Sequence, residues 1–133
     1  MAADLYRLAV SVSAKAYAPY SGLKVGAALA TTDGRTYSGC NIENASYPEG
    51  WCAETSAISH MVVDGGGSIA EIAVYCSTME LITPCGGCRQ RIAEFGNTDT
   101  LVHLCDNSGI AQTVTLPDLL PYAFDMKNRD VKE

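Results

Sequence analysis

Two short segments, "CAE" at 52–54 and "PCGGC" at 84–88, each place cysteine where a helix begins, and the apolar run "IAEIAVYCS" from Ile69 to Ser77 lies between them. Thiols so far apart in sequence share one metal only if the first turn of one helix meets the first turn of another. That requirement constrains the fold more than any other feature of the chain.

The other elements arrange themselves around it. From Ala2 to Tyr17, Leu5, Leu8, Ala9 and Val12 recur at helical spacing until Pro19 stops the pattern. "KVGAALATT" alternates Val25, Ala27 and Leu29 on one face, Asp33-Gly34 supplies a hairpin turn, and "RTYSGC" returns as a second strand. "NIENASYPEGW" has no apolar period and reads as a loop into a helix from about Cys52 to Val63, ended by the glycines at 65, 66 and 67. Ile69 to Ser77 reads as a mostly buried strand. Pro84 marks the start of a helix from about Cys85 to Phe95, followed by a strand at "TLVHLCD", a turn at "NSG" and an extended "IAQTVTL". "LPDLLP" is a short surface helix and "KNRDVKE" a charged, frayed tail. The order predicts a mixed sheet with helices packed on it, in one domain over 1–133.

The cysteines carry the chemistry. Cys85 and Cys88 share a face at a helix start, where unpaired amides and the positive dipole end favour thiolates, so they are placed to hold a soft divalent metal. Cys52 enters its own helix in the same way. Three thiolates make three ligands of a tetrahedral zinc, and without a fourth protein ligand the last position falls to water, as in a catalytic site. The candidates for a fourth are Cys40, Cys76, Cys105, His60 and His103. Cys76 and Cys105 read as small core residues, Cys40 as packing at a strand end, and the histidines as solvated or core-satisfied. Glu54 lies about 200° round an ideal helix from Cys52, poorly placed to share the metal but able to sit beside it as a general acid/base. Taken alone, "CGGC" is also compatible with a thiol oxidoreductase using Cys85 and Cys88.

The totals narrow the partners. A formal net charge of −6 disfavours a polynucleotide partner and leaves a small neutral ligand open. No apolar run reaches the roughly 18 residues of a membrane span, and the start of the chain does not read as a secretory signal. Six cysteines without such a signal are expected as thiols or metal ligands rather than disulfides.

"C-x-E" followed by "P-C-x-x-C" is the all-cysteine form of the zinc deaminase signature. With "APYSGLKVGAAL", "GCNIENASYP", "PCGGCRQ" and "LLPYAF" in the same order, the chain from about Ala16 to Phe124 resembles the small cytidine deaminases of free nucleosides. The resemblance implies a three-layer α/β fold with a mixed sheet of about five strands. It implies one Zn²⁺ per subunit on Cys52, Cys85 and Cys88, a cytoplasmic homotetramer with shared sites, and deamination of cytidine and deoxycytidine to uridine and deoxyuridine in pyrimidine salvage. It implies roles for single residues too. Glu54 is the proton carrier and contacts the ring N3. Asn41 and Glu43 bind the ribose hydroxyls, the backbone at Ala53 and Thr83 reads the pyrimidine edge, Arg89 hydrogen-bonds a zinc thiolate, and Phe124 enters a neighbouring subunit's site. Composition alone favours Asn41 and Glu43 as loop residues, and leaves an ordinary core aromatic as an alternative for Phe124 and packing or substrate contact open for Trp51.

Two positions depart from the family pattern. Thr55 follows "CAE" where the family commonly has Arg, and Leu23 stands where it usually has a Phe packing against the pyrimidine. Thr55 is expected to donate a neutral hydrogen bond to a thiolate. Leu23 keeps an apolar wall without aromatic contact, which leaves room for a rival substrate, a modified aminopyrimidine nucleoside of the blasticidin type.

Overall fold

The computed structural model describes residues 1–126; the charged tail expected at 127–133 lies outside the described residues. Five strands form one sheet: β1 (Val25–Thr31), β2 (Thr36–Cys40), β3 (Ile69–Cys76), β4 (Leu101–Asp106) and β5 (Gly109–Thr115), in the order β2-β1-β3-β4-β5. β3 and β4 are parallel and every other pairing is antiparallel. Four α-helices accompany them: α1 (Ala2–Ser13), α2 (Ala53–Val63), α3 (Gly86–Phe95) and the short α4 (Leu116–Leu119).

The sheet is covered on both faces. On one, Leu5 and Ala9 of α1 pack against Ala28, Ala30, Ala73, Tyr75 and Cys105. On the other, Ala57, Ile58 and Met61 of α2 and Ile92 of α3 pack against Ala27, Leu29, Ile72, Val102 and Leu104. The result is three layers, helix on sheet on helix. Leu5, Leu29 and Ile72 are fully buried, and each contributes roughly 2 kcal/mol by leaving water.

Small residues set the layer spacing. A Cβ on Gly26 would stand 2.0 Å from the Ala9 carbonyl oxygen, and one on Gly39 would stand 2.5 Å from the Ala57 amide nitrogen. The backbones of α1 and α2 therefore lie directly on β1 and β2, which only glycine permits at those two positions.

The structure differs from the sequence reading at two places. The first helix stops at Ser13, whose hydroxyl bonds back to the Val10 carbonyl, instead of running to Tyr17. The Tyr17 amide donates to the Asn41 carbonyl, so this segment is spent on pairing with the loop after β2. Inside the expected 41–51 loop, Tyr47–Glu49 forms a 3₁₀ turn started by Pro48.

Candidate active site

β2 and β3 each run antiparallel to β1 and therefore parallel to one another. α2 follows the end of β2 and α3 follows the end of β3, so both helices begin at the same edge of the sheet, the usual place for a site in α/β proteins. Cys52 caps α2 and Cys85 caps α3, each with extended backbone. An antiparallel bridge between Ile42 and Trp51 holds the chain just before Cys52, and Pro84 imposes an extended approach to Cys85. Cys88 sits one turn further along α3, fully buried.

This arrangement brings the three thiols together. The Cys52 and Cys85 sulfurs are 3.9 Å apart, and all three sulfurs lie within 4.8 Å of one another. Tetrahedral zinc with bonds of about 2.3 Å spaces its sulfur ligands about 3.8 Å apart, so the cluster fits one zinc ion. Among the described residues the group has these three members. Cys76 and Cys105 lie in the core, His103 is held between Glu71 and Thr113, and His60 packs edge-on to Tyr37 with centroids 5.1 Å apart. Cys40 stays out of the cluster and gives its carbonyl to the Ser56 hydroxyl.

The Cys52 and Cys88 thiols are electrostatically unequal. The hydrogen bond from Cys88 pulls Cys52 below the ordinary thiol range, while that same bond and burial push Cys88 well above it.

Glu54 is the second residue of α2 and only 5% exposed. Burial pushes its carboxyl up, against smaller downward pulls that include the Arg91 charge. A carboxyl raised in this way and set beside a metal suits the work of taking and giving a proton.

A cleft of about 400 Å³ opens over the centre, lined by Leu23, Asn41, Glu43, Trp51, Cys52, Ala53, Glu54, Thr83 and Cys85. On its wall the Asn41 side chain accepts from the Val25 amide at 2.8 Å and donates to the Leu23 carbonyl at 2.8 Å. Glu43 accepts from the Tyr20 and Ser21 amides at 2.8 and 3.1 Å and from the Ser21 hydroxyl. That hydroxyl, ahead of the two amides, holds the Glu43 carboxyl below the usual range. Both side chains thus anchor the 20–25 segment while facing the cleft.

Other expected residues lie elsewhere. Phe124 is 63% exposed and borders a separate groove, its carbonyl accepting from the Gln90 side chain. Arg89, expected on a thiolate, instead donates to the Pro84 carbonyl at 2.8 Å and the Leu119 carbonyl at 2.9 Å, tying the start of α3 to α4. The reason is helical geometry: consecutive residues point about 100° apart, so Arg89 turns away from Cys88. Arg91, which the sequence reading passed over, brings Nη1 to 3.7 Å from Cys88 Sγ. Its i, i+3 spacing from Cys88 was the available signal. Thr55 Oγ1 is also 3.7 Å from that sulfur.

Fold and centre together define a zinc hydrolase of the three-thiolate kind. The family profile for the cytidine and deoxycytidylate deaminase zinc-binding region matches residues 2–104. The chain is 45% identical over 114 residues to the cytidine deaminase of Sporosarcina psychrophila, a match covering 86% of this chain and 84% of that one. It is 42% identical over 120 residues to the cytidine deaminase of Halalkalibacterium halodurans, covering 90% and 91%. Among solved structures, cytidine deaminase from Burkholderia pseudomallei superposes with a TM-score of 0.86 at 44% identity, covering 91% of this chain and 97% of that one. This chain belongs to the cytidine and deoxycytidylate deaminase family and is a hydrolytic deaminase that uses one zinc per subunit.

Proposed function

We propose that the chain deaminates cytidine and deoxycytidine to uridine and deoxyuridine, releasing ammonia, as a cytoplasmic enzyme of pyrimidine salvage. The observation that carries this reading is the placement of the buried Glu54 carboxyl in one cleft whose walls also hold Cys52 and Cys85 and the Asn41–Glu43 pair. The cytidine deaminases of S. psychrophila and B. pseudomallei support the base.

Zinc on the three thiolates supplies, when bound, a water acidic enough to act as nucleophile near neutral pH. Glu54 would take a proton from the attacking water as the new C4–O bond forms and deliver it to the ring N3. It then carries the second water proton to the amine as the C4–N bond breaks, so that ammonia leaves and the carboxylate is restored. The backbone at Ala53 and Thr83, both on the cleft wall, reads the polar edge of the pyrimidine. Leu23 closes the apolar side of the ring. The remaining lone pairs of Glu43 accept from the ribose hydroxyls, and the second amide hydrogen of Asn41 donates to a hydroxyl oxygen. The exposed Phe124 suits insertion into a neighbouring subunit's cleft within a homotetramer.

The loss of cytidine absorbance on conversion to uridine tests the reading directly, with deoxycytidine run in parallel. Turnover abolished in Glu54→Gln, with zinc still bound, is the expected result. Absence of turnover on both nucleosides in the parent enzyme would refute it.

A further inference from the structure

Three thiolates on a divalent metal sum to about −1, which weakens the pull of the metal on its bound water unless nearby cations compensate. Two groups reach the buried sulfur of Cys88, the Thr55 hydroxyl and the Arg91 guanidinium, each at 3.7 Å. Thr55 is neutral, whereas a guanidinium stays charged at any physiological pH.

Arg91 arrives from the same helix as Cys88, one turn further on, and folds back along the helix toward its start. The guanidinium lies close over Gly87: a Cβ there would stand 3.2 Å from Arg91 Nη1 and 3.7 Å from Cζ, so that any other residue would displace it by a few tenths of an ångström. The helix start that supplies two ligands therefore also leaves a slot for a cation against one of them.

We propose that Arg91 is a positioning residue that sets the charge of the zinc centre: seated over Gly87, it holds Cys88 as a weakly donating thiolate and restores the electrophilicity that three thiolates remove. The proposal rests on the zinc deaminase reading above and assigns to α3 a compensating charge that Thr55 does not bring from α2.

The experiment uses the full enzyme with zinc replaced by cobalt(II), whose sulfur-to-metal charge-transfer bands report the energy of the thiolate electrons. Removing the cation in Arg91→Gln raises the sulfur donor level and moves the band to longer wavelength, and Arg91→Lys falls between Gln and the parent. In the zinc enzymes, kcat drops about tenfold in Arg91→Gln with KM held, the usual scale for a partner that touches a metal ligand. A band unmoved in cobalt-loaded Arg91→Gln would overturn the proposal. A parent protein without any sulfur-to-cobalt band would overturn the metal centre and this proposal together. A shifted band in an enzyme that leaves cytidine untouched would uphold the role of Arg91 and refute only the substrate.

Discussion

Thr55 Oγ1 and Cys88 Sγ lie 3.7 Å apart, each from the third residue of its own helix, and this contact joins the starts of α2 and α3 away from the cleft. A hydroxyl there gives the thiolate a neutral hydrogen bond and no charge.

Replacing Thr55 by Arg adds a cation beside the centre. Burial raises the Glu54 carboxyl above its ordinary value, and a new positive charge favours its ionised form, so the two effects oppose. The acid limb of the kcat/KM profile is expected at lower pH in Thr55→Arg than in the parent. A profile that does not move would show that position 55 has no electrostatic access to the reacting groups.

Leu23 lines the cleft and is 41% exposed, so a larger ring has room there. Leu23→Phe should lower KM for cytidine by roughly two- to tenfold, the factor that corresponds to an aromatic contact of about 0.5–1.5 kcal/mol. A raised or unchanged KM would remove residue 23 from the pocket.

Metal affinity is expected to fall on acidification. Cys88, pushed up by its bond to Cys52 and by burial, must surrender a proton before it can ligate. Each proton fully displaced makes the affinity about tenfold weaker per pH unit lost. A chelator competition between pH 6 and 8 reads this slope, and a flat result would mean that the thiols are already ionised without metal.

Glu43 has its folded pKa depressed by the Ser21 hydroxyl and the amides of Tyr20 and Ser21. Its contribution to stability is therefore present above the unfolded value of about 4.3 and is lost as pH falls through the lower folded value. Thermal melts of the parent and Glu43→Gln should differ at pH 7 and converge toward pH 3. A gap that is constant with pH would mean that the carboxylate charge is irrelevant to holding the 20–25 segment.

Much of this was legible before any coordinates. The Asp33-Gly34 hairpin, the starts of α2 and α3 and the strand at 69–76 follow from local period and turn chemistry, and the structure shows them within a residue or two. The zinc ligands follow from spacing. Less visible was the burial of both faces of β1: Ala28 and Ala30 sit under α1, but alanine is too small to register as an apolar stripe. The end of α1 was decided by Tyr17 pairing with Asn41, a contact across the chain that no local pattern encodes. Arg91 was missed because the sequence reading looked to the neighbour of Cys88 rather than to the residue one turn on. The anchoring of Asn41 and Glu43 to 20–25 depends on two loops meeting, which motif order alone does not express.

Cys52 and Cys85 are 33 residues apart and cap two different helices. An ion held between them works as a removable cross-link, closing a long loop of chain without a covalent bond. Thermal resistance then becomes a property of the solution as well as of the protein. Free zinc at 100 times its dissociation constant adds about 2.7 kcal/mol to folding, and a compartment that strips the ion withdraws that amount and the catalyst together.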